Sequence, residues 1–203
     1  FNEDISGWNV DKVENMQNMF VRAGDFNKPL NNWDVSSVQN MSFMFYAASN
    51  FNQDISGWNV KKVTDMQSMF VDATNFNHPL DDWNVSSVEN MYAMFKTTNF
   101  NHPLNNWDVS NVTRMDMMFS YASSFNQPLF SWKVGNVISM HLMFEHASSF
   151  NQDISNWNTH KVIDMNGMFY DTKFDIYYTR NWDLSRVNFI KKMYYSDISL
   201  HRY

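Results

Sequence analysis

Apolar side chains return along this chain in a fixed order. Counting from Phe1, the first stretch carries Ile5, Trp8, Val10, Val13, Met16, Met19, Phe20 and Ala23, with polar residues between them, before the next leading phenylalanine at Phe26. Units of this kind begin at Phe1, Phe26, Phe51, Phe76, Phe100, Phe125, Phe150 and Phe174, a spacing of 24 or 25 residues. A fixed period of this size marks a repeat architecture, in which one unit cannot bury its apolar side alone and stacks on its neighbours. All eight tryptophans fall at one position of the register, from Trp8 and Trp33 to Trp182. Of the 16 methionines, only Met117 and Met193 lie outside complete pairs spaced three apart, such as Met16 with Met19 and Met165 with Met168.

The opening Ile-x-x-Trp-x-Val has the Leu-x-x-Leu-x-Leu spacing that starts a leucine-rich repeat, and it predicts a short strand at about Trp-x-Val. The continuation from Val13 through Met16, Met19, Phe20 and Ala23 steps by three and four, which predicts a helical turn with those side chains on one face. Ser36, Ser86, Ser110 and Ser185 stand just before that stretch as candidate helix caps. Lys12, Lys61, Lys62 and Lys161 occupy the neighbourhood in other units, so the cap is not uniform. The expected fold class is an α/β repeat solenoid, leucine-rich-repeat-like. Its eight coils would each hold one short parallel strand and a short helical segment, in a single domain over residues 1–203. At about 4.8 Å per stacked strand the array would be roughly 38 Å long.

Composition narrows the function more than the fold. With 44% hydrophobic residues the chain can bury a substantial core, and with a net charge of -6 it lacks the basic stripe that a nucleic-acid groove requires. No run of about 18 apolar residues exists to span a bilayer. Without cysteine there is neither a disulfide framework nor a thiolate metal site. Charge is uneven: residues 1–99 carry 12 acids against 6 bases, and residues 100–203 carry 9 against 9. That asymmetry suits head-to-tail stacking or an oriented partner.

The repeat resembles that of the BspA-type leucine-rich-repeat surface proteins. The residues that carry the resemblance are Phe51-Asn-Gln-Asp-Ile-Ser-Gly-Trp-Asn-Val, followed by Val-x-x-Met-x-x-Met-Phe, and the Trp, the paired Met and the Met-Phe step recur in seven consecutive units. The eighth departs, with an extra residue between Phe174 and Trp182, Ile190 for the first Met and Tyr194 for the Phe. The resemblance implies a surface-displayed array of the kind found in mycoplasmas, other bacteria and giant DNA viruses, of adhesive or unknown function. It supplies no catalytic residue, and cell surface or virion is the location it suggests.

Several columns of residues invite a chemical reading. Asn2, Asn27, Asn52, Asn77, Asn101, Asn126 and Asn151 follow the leading phenylalanines, with Asp175 in the last unit. They are expected to form a structural ladder that satisfies turn backbone, with a ligand site as the alternative. The methionine pairs sit among Val, Phe and Ala and read as core rather than copper ligands. His78 and His102, one unit apart, have no strong third ligand beside them, so no metal site is assigned. Asp81 and Asp82 are neighbours on a turn, not a facing acid–base pair. No catalytic constellation and no cofactor is expected. Sequons occur at Asn40, Asn84 and Asn111.

The row between Trp and Val reads Asn9, Asp34, Asn59, Asn84, Asp108, Lys133, Asn158 and Asp183. Taken as the outward side of the strand, it is the candidate binding row, and its amides and carboxylates suit a glycan or polar protein. A bland solvated wall is the equal alternative. The leading functional expectation is a non-catalytic, surface-exposed interaction or adhesion module. The alternative is a structural component of an assembly such as a virion or surface layer, with neighbouring subunits as partners. Terminal repeats need a polar outer face. The eighth unit and a tail from Ser196 to Tyr203 are irregular enough to serve as a cap, whereas Phe1, Ile5, Trp8, Val10, Met16 and Met19 match the internal pattern. The N-terminal face is therefore expected to be apolar and covered by more repeats, a missing cap or another molecule, with self-association as the consequence.

Overall fold

In the computed structural model, which describes residues 1–191, 193 and 194, the units are tied together by parallel bridges between equivalent residues. The bridges run Asn15 to Asn40 to Asp65 to Asn90 to Arg114 to Ser139 to Asp164 to Phe189. Around each bridge the backbone hydrogen bonds alternate in direction. The N–H groups of Met16, Asn18, Phe20 and Arg22 cross to the carbonyls of Asn40, Ser42, Met44 and Tyr46 in the next unit, at 2.7 to 3.1 Å. Those of Met19, Val21 and Ala23 turn back within the unit to Met16, Asn18 and Phe20.

This alternation replaces the helical turn expected across the methionine pairs. An α-helix sends every N–H four residues back, but here every second N–H leaves the unit. The three-and-four spacing of Met16, Met19, Phe20 and Ala23 arises instead from overlapping turns that reverse at left-handed residues. Asn18 and Arg22 have φ of 62° and 58°, and the same two positions recur as Phe43 with Ala47, Ser68 with Asp72, and Met117 with Tyr121. Among the described residues the only helical element is a 3-10 turn, Ile176–Thr179, capped by the Asp175 carboxylate, which accepts from the Tyr177 N–H at 2.9 Å.

The strand expected at Trp-x-Val is also absent there, and the bridging lies further along, at the Asn15 position. Two turns explain the shift: Trp33 N–H returns to the Leu30 carbonyl and Val38 N–H to the Val35 carbonyl, so neither is free to pair across units. Between those turns the Asp34 carboxylate accepts from the Ser36 N–H at 3.0 Å, which bends the chain. Ser36, Ser86, Ser110 and Ser185 thus close this local turn, and no helix follows them to be capped.

The core is one continuous cluster from Ile5 to Met193. Two phenylalanine columns stack side by side: Phe45 lies 5.6 Å from Phe70 along its column and 4.0 Å from Phe51 across to the other. The tryptophans stack nearly parallel, with Trp58 and Trp83 at 6.5 Å. Each buried indole N–H donates to a carbonyl of the preceding unit, as Trp83 Nε1 does to Ile55 at 3.1 Å. Burial therefore leaves the ring's one polar atom satisfied. In the first unit Ile5, Val10 and Met16 are buried, whereas Phe1 and Trp8 are 60% and 56% exposed. Ser196 to Tyr203, the expected tail cap, lie outside the described residues.

Candidate interaction face

All eight residues of the row from Asn9 to Asp183 are exposed. Seven of them also hold their own turn. The side-chain oxygens of Asn9, Asp34, Asn59, Asn84, Asp108, Asn158 and Asp183 each accept the backbone N–H two residues on, at 2.9 to 3.3 Å. Hydrogen bonds from the Ser36, Ser110 and Ser185 hydroxyls and N–H groups hold the Asp34, Asp108 and Asp183 carboxyls below their usual range. The exception is Lys133, which makes no hydrogen bond or ion pair and adds a coulombic pull on Asp108. The preference for Asn or Asp thus has a conformational cause, and the chemistry free for a ligand is concentrated where the pattern breaks.

The asparagine column forms a ladder between units. Asn27 N–H donates to Asn2 Oδ1 at 2.9 Å, and the pattern continues through Asn52, Asn77, Asn101, Asn126 and Asn151 to Asp175. A second rung, not anticipated from sequence, runs beside it. Gln127 and Gln152 donate from Nε2 to the carbonyls of Asn101 and Asn126, while His78 and His102 place Nε2 at 3.1 and 2.9 Å from those of Asn52 and Asn77. The two histidines are therefore ladder members. The signal for them was the recurrence of an N–H-bearing side chain at Gln53, His78, His102, Gln127 and Gln152.

The flank of the inter-unit backbone ladder presents side chains that change from unit to unit. Phe43 and Tyr46 lie 6.0 Å apart in the second unit. Further along, the Arg114 guanidinium sits 5.1 Å over the Tyr92 ring and 3.2 Å from Asp116, which also accepts from Ser139. His146 lies 4.4 Å from Tyr121, meets Tyr170 edge-on at 5.4 Å, and bonds Asp171 at 2.8 Å. Tyrosine and arginine are among the residue types that carry binding energy in protein interfaces. The flank residues fall in the segment whose three-and-four spacing predicts a helix, so the sequence pattern marks the Asn9 row and not this flank as a surface for function.

The family described as "Mycoplasma protein of unknown function, DUF285" matches twice, over residues 1–104 and 91–202. The chain belongs to this family. No curated protein matches it. Two overlapping matches that together cover nearly the whole chain fit the internal repetition, and the family's description carries no activity. No helix among the described residues is long and apolar enough to cross a membrane.

Proposed function

We propose that the protein is a leucine-rich-repeat-like solenoid of the BspA type that acts as a non-catalytic, surface-exposed interaction or adhesion module. One observation carries the reading: a backbone that repeats unit by unit displays side chains that do not. The Phe, Trp, Met and Asn columns are nearly uniform, while the partly exposed flank runs through Phe43, Tyr92, Met117, Tyr121 and His146. An array whose only task was to stack would place no demand on these positions, and aromatic residues half in water cost solubility unless something covers them. The seven bridges at equivalent positions support the solenoid organisation.

The test is saturable binding of the fluorescently labelled chain to eukaryotic cell surfaces and immobilised extracellular glycoproteins, competed by unlabelled chain. Replacing Tyr92, Tyr121 and His146 by serine together is expected to weaken that binding. Failure to saturate on any surface, with ordered self-assembly into sheets or fibres instead, would favour a role as an assembly component.

A further inference from the structure

Two residues break the surface pattern in the same unit. Lys133 is the one cation in a row otherwise made of Asn and Asp. Phe130 stands where other units carry Ser6, Asn31, Ser56, Asp81, Asn105 and Ser155, and its side chain is 53% exposed. Neither has a structural reason: the Asn9-type turn does not need an ammonium, and the exposed ring adds little to the core. Lys133 lines a cleft of about 310 Å³ between the fifth and sixth units, together with Asn105, Asn106, Trp107, Asp108 and Ser131, and Phe130 directly precedes Ser131 in the chain.

The cleft has a prepared wall and unspent donors. Asn105 and Ser131 fix each other, with Ser131 N–H to Asn105 Oδ1 at 2.9 Å and Asn105 Nδ2 to Ser131 Oγ at 3.0 Å. The Asn106 amide and the Lys133 ammonium, both exposed, have no hydrogen-bond partner in the structure. One carboxylate and one ammonium leave the lining neutral in sum, which disfavours a phosphate or other strong anion. The volume lies at the low end for small-molecule sites, about 300–1,000 Å³. A ligand matching this lining is neutral, compact and dense in hydroxyls. A carboxylate accepts from such hydroxyls, amide and ammonium N–H groups donate to their oxygens, and an exposed phenyl ring next in the chain to a lining residue is available for the C–H face.

We propose that this cleft is a carbohydrate subsite that takes a neutral pyranose unit of a glycan, with Asn106, Asp108 and Lys133 contacting its hydroxyls and Phe130 packing on its ring. The site rests on the interaction-module reading and names the ligand class for one part of it.

The array itself supplies test variants that should fold. Asn stands at the Lys133 position in Asn59, and Ser at the Phe130 position in Ser56. The full chain would be titrated by ¹H–¹⁵N NMR with methyl β-galactoside, methyl α-mannoside, N-acetylglucosamine and lactose, and with sialyllactose and inorganic phosphate as charged probes. At least one neutral sugar should shift the side-chain amides of Asn105 and Asn106 and the Ser131 N–H. K133N and F130S should each weaken that binding about tenfold or more, with unchanged melting temperature. Three results would overturn the site: no sugar moves these amides, binding survives both substitutions, or only the charged probes bind. Saturable cell binding that both substitutions leave intact would sink the subsite and spare the interaction module. Loss of all binding in both assays would sink both.

Discussion

At the head of the first seven units an asparagine side chain supplies an acceptor to the backbone of the next unit. Asn77 Oδ1 takes the Asn101 N–H, and its own N–H is taken by Asn52 Oδ1. Replacing Asn77 by Ala removes one rung at an exposed position where water compensates in part, so the expected loss is about 0.5–1.5 kcal/mol in urea unfolding. Asn77→Asp keeps the acceptor and should cost clearly less, since only the side-chain oxygen is used. An equal loss in both variants would show that the amide nitrogen matters. Trp83 is the larger residue-scale test. Its indole is 3% exposed and bonds the Ile55 carbonyl, so Trp83→Ala should cost about 3–5 kcal/mol.

At the scale of the element, the unusual feature is a left-handed residue twice per unit. Most are not glycine: Thr97, for example, has φ of 58°. A β-branched residue there is a genuine outlier. Relieving the left-handed conformation is worth about 1–2 kcal/mol, against about 0.5–1 kcal/mol of glycine entropy. Thr97→Gly is therefore expected to raise stability by roughly 0.5–1 kcal/mol, read as a higher melting temperature. The converse holds at Gly167, with φ of 63°, where an added Cβ would run into Leu142 Cδ2. Gly167→Ala should lower the melting temperature, and an unchanged value would mean that Leu142 yields freely.

At the scale of the whole molecule, parallel bridges between equivalent residues lead to the expectation that position sets the damage. Trp8 is 56% exposed and Trp83 is 3% exposed, so Trp8→Ala should lower the melting temperature far less than Trp83→Ala. Equal shifts would contradict nearest-neighbour energetics. Acid stability is a second global property. Hydrogen bonds, chiefly from Ser6, Ser36, Ser56, Ser110, Ser155 and Ser185, lower the pKa of Asp4, Asp34, Asp54, Asp108, Asp153 and Asp183. A carboxyl with a lower pKa in the folded chain stabilises it above the unfolded value, near 3.9. That contribution is lost as pH falls through the folded value. The melting temperature should therefore drop below about pH 4, and the drop should shrink when all six are replaced by Asn, which keeps the turn acceptor but does not titrate. An unchanged acid limb would assign the drop to other carboxyls.

What the sequence determined by itself was the register and the core. Apolar identity repeated every 24 or 25 residues is one-dimensional information, and it marks Phe45, Trp58, Met66 and Phe70 as interior without any fold in hand. The asparagine column was legible for the same reason. The backbone conformation was not, because a step of three and four residues is produced equally by a helix and by overlapping turns that reverse at Asn18 and Arg22. The choice between them depends on where the N–H groups go, and at Met16, Asn18 and Phe20 they go to carbonyls in the next unit. Such partners exist only once the chain has come back on itself. The tertiary structure therefore decided that the segment between the methionines is an inter-unit ladder, that Trp-x-Val is a bend between turns, and that Tyr92, Arg114, Tyr121 and His146 line an exposed flank. It also decided that the cleft at Lys133 lies between two units: its walls, Asn105 and Ser131, are 26 residues apart and meet only through stacking.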